Sequence, residues 1–336
     1  MMWRNPWLYT ASLIFFGVVL NPRLGAAEET IQLKMPVACD IGRTCYIQNY
    51  VDIDPAPSAK DYRCGTLSYD AHNGTDFRLP TMKARRAGVD VIAAAAGRVA
   101  RVRDGVPEGV FLKSGRDAVK DMECGNGVVI EHPGRWETQY CHMAKGSIRV
   151  KPGDDVSVGQ PLGQIGLSGL TEYPHLHLTV RHESKIVDPF AYGAPENSCS
   201  GGKSLWDASL QGQLTYRERE VLNAGFSTGA VTMDMIENGE AEKDLFSRDA
   251  PALVVFVRAI GLKTGDIQKL VLHSPSGQVV AENRAAALAT NKAQVMLFAG
   301  RKRLPNGWDA GVYRAKYTVE RDGHVVLEKD IVHTLP

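Results

Sequence analysis

The sequence lacks an excess of charge of either sign. Among its 336 residues, 39 lysines and arginines face 38 aspartates and glutamates, which leaves a formal net charge of +1. Removal of residues 1–27, which include Arg4 and Arg23 but no acidic residue, would change this to −1. Attraction to a nucleic-acid backbone needs a clear positive excess. The composition therefore gives no reason to expect nucleic acid as a partner.

Long apolar segments are missing beyond the first 27 residues, where no stretch is apolar enough to cross a membrane. At the start, Arg4 precedes the apolar run WLYTASLIFFGVVL, and small residues follow in LGAAEET. This pattern is typical of a secretory signal peptide and predicts cleavage near Ala27. The run is shorter than the about 20 residues that a spanning helix needs, which argues against a retained anchor. No cysteine lies at the cleavage position, so no lipid anchor is expected.

Cysteine is sparse, and no two of the six residues have the close spacing of zinc ribbons, which argues against a zinc–thiolate site. An even number of cysteines in an exported chain favours disulfide bonds. Cys39 and Cys45 bracket the short turn DIGRT, so we expect these two to pair. The remaining four are expected to form two bridges in the region that carries the histidines discussed below. Sequence alone leaves their pairing open: Cys64, Cys124, Cys141 and Cys199.

Internal repeats and low-complexity tracts are absent, so the chain divides into consecutive segments of different character. After a polar lead-in at 28–61, residues 62–193 alternate short β-type runs with Gly and Pro turns. This alternation of short runs and turns predicts an all-β sandwich or barrel-like sheet. Residues 106–122 interrupt the alternation and are interpreted as an inserted loop. Residues 194–249 begin with APENSCSGGKS and are interpreted as a linker region.

Residues 250–336 form a second β-rich region with longer alternating runs, such as AGVYRAKYTVERDGHVVLEKDIV. Runs of this length joined by Gly turns predict a small immunoglobulin-like β-sandwich. The region contains His273, His324 and His333, but no two of them at ligand spacing on one strand. We therefore expect a targeting or partner-binding module that contacts an envelope protein and has no catalytic role.

Two histidines lie two positions apart in YPHLHLTV, a run that otherwise has the composition of a strand. Side chains alternate across a strand, so His175 and His177 should share one face while Leu176 and Leu178 share the other. A single histidine in this position would be interpreted as part of an exposed polar face. A pair requires comparison with the other polar pairs of the chain.

Two further pairs occur upstream of this strand. YDAHNGTDF holds His72 and Asp76, four residues apart, and imidazole nitrogen and carboxylate oxygen both bind zinc at about 2.0–2.2 Å. TQYCHMA holds Tyr140 and His142, again two apart on a predicted strand, with Cys141 between them expected to point away from the site. Each pair alone is a weak signal. Only a folded sheet would bring them together, and their joint presence in an exported β-rich region indicates a metal site.

These residues resemble the lysostaphin/LytM-type zinc metallopeptidases, which cut peptide cross-links in bacterial peptidoglycan. The resemblance covers about residues 62–192 and rests on HNGTD, GNGVVIEH, YCH, VKPGDDVSVGQPLGQIGLSG, PHLHL and IVDPFAY. It implies a compact antiparallel β-sheet with a groove. It further implies zinc ligation by His72, Asp76 and His177, with His142 and His175 as catalytic histidines.

The ligand set also fits catalysis on chemical grounds. Two imidazoles and one carboxylate leave the fourth tetrahedral position of zinc open for water, as in catalytic sites. Zinc lowers the pKa of that water toward about 7, and His175, beside His177, is expected to take its proton. His142 is expected to donate a hydrogen bond to the developing oxyanion. A thermolysin-type HExxH site is excluded, because HESKI ends in Ile186.

Two hypotheses follow from the sequence. The first is a periplasmic zinc endopeptidase that hydrolyses cross-linked peptidoglycan peptides. The second is a non-enzymatic envelope protein that binds peptidoglycan or activates a partner cell-wall hydrolase through the same groove. Because some members of the family have lost ligands and act as activators, the complete ligand set favours the first hypothesis.

Overall fold

Strands dominate the computed structural model, which describes residues 1–2, 30–196, 198–242 and 247–336. The predicted signal peptide, apart from its first two residues, lies outside the described residues. The α-helices of the described part are short: α1 (Met82–Ala87), α2 (Val110–Ser114) and α3 (Met233–Asn238). Single 3-10 turns lie at Arg116–Val119, Pro133–Arg135 and Ala208–Leu210. No helix among the described residues is long and apolar enough to cross a membrane. The predicted all-β class is confirmed.

The first β region contains strands β1 (Tyr46–Asn49), β2 (Thr75–Arg78), β3 (Asp90–Ile92), β4 (Gly97–Arg103), β5 (Asn126–His132), β6 (Trp136–Met143), β7 (Asp155–Val156), β8 (Pro161–Gln164), β9 (His175–His182) and β10 (Lys185–Val187). Eight of them form one sheet in the order β1-β2-β9-β6-β5-β4-β7, with β10 paired to β9. Strands β3 and β8 pair separately. All of these pairings are antiparallel, as predicted.

Strand β9 lies inside the sheet, between β2 and β6. Its sequence HLHLTVRH alternates as predicted, because Leu176 and Leu178 are fully buried in the core of the first β region. Phe77 of β2 lies opposite Leu176, and Tyr140 of β6 lies opposite Leu178, so one face of three adjacent strands is apolar. The opposite face of these strands carries the polar residues discussed below.

The second β region consists of seven strands in two sheets: β11 (Glu220–Ser227), β12 (Ala252–Leu262), β13 (Ile267–His273), β14 (Val279–Arg284), β15 (Lys292–Lys302), β16 (Gly311–Arg321) and β17 (His324–Leu335). One sheet has the order β11-β12-β15 and the other β14-β13-β16-β17. Both contribute to a single apolar core, with Val255 from the first and Leu272 and Tyr317 from the second. Two antiparallel sheets around one core are consistent with an immunoglobulin-like sandwich, and that finer assignment stays a prediction.

Two segments that were interpreted as connections contain strands of the sheets. Strand β1, inside the lead-in 28–61, is an edge strand of the first sheet, and β11, inside the linker region 194–249, pairs with β12. The four residues of β1 are too few to show an alternation. In β11 the register shifts between Val221 and Asn223, which breaks the period-2 pattern that identifies strands. The domain limits stay predictions.

All six cysteines are paired in three disulfide bonds. The predicted bond between Cys39 and Cys45 is confirmed. The other two join Cys64 to Cys199 and Cys124 to Cys141, which connects β6 to the loop before β5. Because Cys199 follows residue 193, the longest-range bond ties the first β region to the segment after it.

Candidate metal centre

Strand pairing brings the predicted ligands together from distant parts of the chain. Asp76 of β2 lies directly opposite His177 of β9, and opposed residues on antiparallel strands share a face. His72 precedes β2 in the loop, and its ring packs edge-to-face on that of His177. All three side chains are buried. The polar face of the sheet therefore places two imidazoles and a carboxylate in contact, as the sequence predicts.

The three candidate ligand atoms form a small triangle. His177 Nδ1 lies 2.8 Å from Asp76 Oδ1, His72 Nε2 lies 3.2 Å from Asp76 Oδ1, and the two nitrogens are 3.2 Å apart. Ligands at about 2.0 Å from a tetrahedral ion are about 3.3 Å from one another. The observed separations are close to that value, so the triangle fits one face of a zinc coordination tetrahedron.

Hydrogen bonds to the other ring nitrogens orient both imidazoles for metal binding. His72 Nδ1 lies 2.6 Å from the carbonyl oxygen of Tyr50, which assigns the proton to Nδ1 and leaves a lone pair on Nε2. His177 Nε2 lies 2.9 Å from Asn73 Oδ1, which assigns its proton to Nε2 and leaves a lone pair on Nδ1. Partners of this kind fix the tautomer and the ring orientation of metal-binding histidines. Both lone pairs therefore face the triangle.

Asp76 is held in the ionised form that a metal requires. Burial opposes ionisation, but the neighbouring imidazoles of His72 and His175 outweigh it, so the pKa of Asp76 lies well below its ordinary value. The carboxylate oxygen that does not face the triangle accepts a hydrogen bond from Asn49 Nδ2 at 3.0 Å. Asn49 lies on β1, so the edge strand supports the site.

Gly74, between the two upstream ligands, is required by space. A Cβ atom at this position would lie 2.5 Å from His177 Nε2 and 2.7 Å from the carbonyl oxygen of Leu178. Both contacts are far inside ordinary van der Waals separation. The glycine of HNGTD thus lets the loop pass directly over the His177 ring.

His175 lies beside the triangle without closing it. Its Nε2 is 3.4 Å from Asp76 Oδ1, and its Nδ1 is 2.9 Å from the carbonyl oxygen of Tyr173. The proton is therefore assigned to Nδ1, and the lone pair of Nε2 faces the candidate metal position. A side chain in this arrangement is suited to accept a proton from a water molecule at the open position of the metal.

His142 approaches the site from β6 on a backbone turn rather than by strand alternation. It has a φ of 62°, in the left-handed region that non-glycine residues rarely adopt. Its Nδ1 lies 2.8 Å from the carbonyl oxygen of Ser168, and its ring centroid lies 4.6 Å from that of His175. Burial, followed by the charges of His175 and His177, holds the pKa of His142 well below its ordinary value.

The hydrogen bond of His142 bears on its expected role. With the Nδ1 proton donated to the Ser168 carbonyl, Nε2 of the neutral ring carries a lone pair and accepts rather than donates. His142 therefore acts as an oxyanion donor only after it has taken up a proton. In the neutral state Nε2 of His142 is, like Nε2 of His175, a proton acceptor.

The expectation for Cys141 is wrong. Cys141 lies directly opposite His177, so its side chain is on the polar face of the sheet, where it bonds to Cys124. Regular alternation would have placed His142 on the apolar face with Tyr140. The positive φ at His142 breaks the alternation and turns that ring back to the site.

A second group of potential ligands overlaps the first. His142, His175 and His177 offer nitrogen atoms that lie within 4.8 Å of one another. The ligand atoms of His72, Asp76 and His177 also lie within 4.8 Å of one another, and this group includes a carboxylate. Its separations of 2.8 to 3.2 Å fit a single ion, and the other two histidines, His142 and His175, lie beside it.

The cluster opens into a cleft of about 580 Å³. Asp76 and His175, which are both buried, belong to its lining, and so do Phe111 and Arg116 of the inserted loop 106–122. The remaining lining comes partly from the second β region, at 261–262 and 291–294. The sequence predicts a targeting or partner-binding module without a catalytic role for that region, and the structure places part of it against the cleft.

Several residues that contact the site were not predicted from the sequence. Asn73 and Thr179 contact His177 Nε2 and lie next to predicted ligands, so their proximity to the motifs was a usable signal. Asn49 and the residues of the second β region are far from any ligand in sequence. Only the folded chain brings them to the site.

Residues 70–189 match the family model described as Peptidase family M23. The chain is 33% identical over 124 residues to peptidoglycan DD-endopeptidase ShyB of Vibrio cholerae, covering 37% of this chain and 24% of that protein. It is 35% identical over 134 residues to peptidoglycan DD-endopeptidase ShyA of the same organism, covering 40% and 26%. The matched segment therefore spans about a quarter of the length of these curated relatives.

Among solved structures, the chain is similar to a mutant catalytic domain of the prophage-encoded M23 protein EnpA from Enterococcus faecalis. The similarity has 25% identity and a TM-score of 0.32, and covers 46% of this chain and 95% of that one. The sheet, the His/Asp cluster and the family match together define a metallopeptidase domain. Residues 70–189 are a peptidase M23 domain, and the resemblance drawn from the motifs is confirmed.

Proposed function

We propose that this protein is a zinc-dependent endopeptidase that hydrolyses peptide cross-links of bacterial peptidoglycan in the cell envelope. The observation that carries the proposal is the triangle of His72 Nε2, Asp76 Oδ1 and His177 Nδ1, with sides of 2.8 to 3.2 Å. A set of two imidazoles and one carboxylate suits zinc and keeps one position open. When bound, zinc lowers the pKa of a water molecule toward about 7 and polarises the scissile carbonyl.

The histidines beside the triangle would carry the proton transfers. His175 Nε2, whose lone pair faces the candidate metal position, would accept the proton of the attacking water. His142, whose ring centroid lies 4.6 Å from that of His175, would donate a hydrogen bond to the oxyanion that develops on the carbonyl once that proton has passed to its Nε2. The same proton would then pass to the leaving amine, so that both histidines are neutral again.

The substrate class is supported by the names of the two relatives above, both peptidoglycan DD-endopeptidases. Three disulfide bonds support export to an oxidising compartment, since such bonds are rare in reducing ones. Together with the predicted signal peptide, they favour the periplasm. A non-enzymatic role is less well supported, because all five residues implied by the resemblance are present and in contact.

Zinc analysis combined with a cleavage assay tests the proposal. The purified protein should carry about one zinc per chain and should convert cross-linked muropeptides to monomers, with activity lost to a chelator and restored by zinc. Asp76→Asn should lose zinc and activity. His324→Ala, which alters an exposed histidine at the start of β17, is the matched control and should behave as the wild type. A zinc-loaded wild type that leaves the substrate intact would overturn the proposal.

A further inference from the structure

The second β region forms one wall of the cleft above the metal centre. The same cleft that Asp76 and His175 line is also lined by Gly261 and Leu262, at the end of β12, and by residues 291–294, at the start of β15. These positions lie outside the matched M23 segment 70–189. A substrate that reaches the metal centre through this cleft would therefore contact residues that belong to neither the family match nor the motifs.

Direct hydrogen bonds hold the wall against the catalytic sheet. Arg78, two residues after Asp76 on β2, donates to Gln294 Oε1 at 3.0 Å and to Gln48 Oε1 at 2.9 Å. Gln48 in turn donates to the carbonyl oxygen of Ala293 at 3.1 Å. Arg78 is 1% exposed. Buried and charge-assisted hydrogen bonds are the strong ones, so this part of β15 has a defined position at the cleft.

An ionic cluster below these contacts adds to the attachment. Glu237 of α3 accepts from Arg78 at 2.9 Å and also pairs with Arg258 of β12. Arg258 is fully buried and donates to the carbonyl oxygen of Pro80. One carboxylate thus joins two buried guanidinium groups, one from each β region. Separation of the regions would leave these charges unpaired, which is costly.

Two exposed cations from distant parts of the chain line the cleft. Lys292 extends from the start of β15, and Arg116 extends from the inserted loop 106–122. Neither side chain forms an ion pair or hydrogen bond within the described part of the chain. Of the acidic residues in the lining, Asp76 belongs to the metal centre, and Glu172 is the other. The lining thus holds two exposed cations without an ion-pair partner among the described residues against one exposed carboxylate, Glu172, and both cations are available to bind an anion.

We propose that the second β region is a specificity-determining wall of the active site, and that Lys292, together with Arg116, binds a free carboxylate of the substrate peptide. The inference rests on the proposed function for the reaction itself, but the binding can be measured without turnover. It assigns the substrate to the class of acidic peptides. It gives residues 250–336, for which the sequence predicts no catalytic role, a part in substrate binding.

Binding and cleavage are compared for two substrates that differ only in charge. One is a cross-linked muropeptide with free carboxylates, and the other is the same muropeptide with its carboxylates amidated. The variants are Lys292→Gln and Arg116→Gln. Lys302→Gln is the matched control, since Lys302 is an exposed lysine at the opposite end of β15, away from the cleft. Binding is measured by titration calorimetry in the His175→Ala background, where turnover is removed.

We expect Lys292→Gln and Arg116→Gln each to weaken binding of the acidic peptide about 5- to 10-fold. Cleavage should change through KM rather than kcat. Both variants should bind the amidated peptide as the wild type does, and Lys302→Gln should match the wild type on both peptides. Zinc content should be unchanged throughout, which would show that the metal centre is intact.

The outcomes separate this inference from the proposed function. Equal binding of acidic and amidated peptides by the wild type would overturn the inference, as would a Lys292→Gln variant that behaves like Lys302→Gln. If the zinc-loaded protein binds the acidic peptide selectively but cleaves neither substrate, the carboxylate site stands and the proposed function fails.

Discussion

The two histidines of PHLHL share a strand face, yet their replacement should have different consequences. His177 Nδ1 is a corner of the ligand triangle, at 2.8 Å from Asp76 Oδ1. His175 Nε2 lies 3.4 Å from the same oxygen, and the other nitrogen of its ring is bonded to the Tyr173 carbonyl. We predict that His177→Ala loses the metal, and that His175→Ala keeps the metal and loses turnover.

The size of the difference follows from linkage between binding and folding. Zinc that binds only the folded state, at about 1,000 times its Kd, adds about 4 kcal/mol to the free energy of unfolding. Loss of a hydrogen-bond partner of a metal ligand can raise the Kd for the metal about 100-fold. Loss of one of the three ligands themselves should raise the Kd by more than that. A 100-fold rise removes about 2.7 kcal/mol. His177→Ala should therefore lose at least that much of the zinc-dependent stability.

Urea unfolding with zinc and with a chelator measures the zinc-dependent part of the free energy of unfolding directly. The chelated proteins control for packing, since His177→Ala also removes the hydrogen bond to Asn73, worth about 0.5–1.5 kcal/mol. His175→Ala should keep the full zinc increment while muropeptide cleavage falls about 10²–10⁴-fold, and His142→Ala should resemble it. A metal-free His175→Ala beside a zinc-loaded His177→Ala would reverse the assignment, and full activity in both would refute the enzyme proposal.

Three further substitutions test other parts of the structure. Gly74→Ala places a Cβ atom 2.5 Å from His177 Nε2 and should lower the zinc content measured by atomic emission, whereas Gly212→Ala, with open space around it, should not. Glu237→Ala leaves two buried arginines unpaired and should lower the free energy of unfolding in urea by about 3–5 kcal/mol; a loss below about 1 kcal/mol would contradict the role of this cluster. Asp188→Asn removes a carboxyl group whose pKa burial raises from 3.8 to about 7. Because the folded pKa exceeds the unfolded value, the stability contributed by this group is complete below pH 4 and lost as the pH rises to about 7. The chelated variant should therefore melt above the wild type at pH 8 and close to it at pH 4, and equal melting temperatures at pH 8 would argue against a buried, ionised Asp188.

Where the backbone is regular, strand alternation was sufficient to predict the face of the sheet on which each side chain lies. His175 and His177 lie on one face of β9, and Leu176 and Leu178 lie on the other, because period-2 alternation is a local property of extended backbone. Alternation failed at His142, where a φ of 62° turns the ring to the site. No local sequence pattern predicts a left-handed histidine at the end of a strand.

The chain sequence by itself determined the class of the site. HNGTD, YCH and PHLHL contain the five predicted residues, and imidazole and carboxylate side chains at those spacings permit few chemistries other than metal binding. These motifs could be recognised from the sequence because each is made of residues within a few positions of one another.

Only the tertiary structure decided what surrounds the metal centre. Lys292 and Gln294 are more than 100 residues from any predicted ligand, and nothing in the alternation of β15 distinguishes its cleft end from its other end. Their position depends on the contacts of Arg78 with Gln294 and Glu237, which join two β regions with separate cores. Contacts of this kind form between the surfaces of two folded regions and leave no periodic signal in the sequence. The sequence therefore could not predict that the second β region lines the cleft.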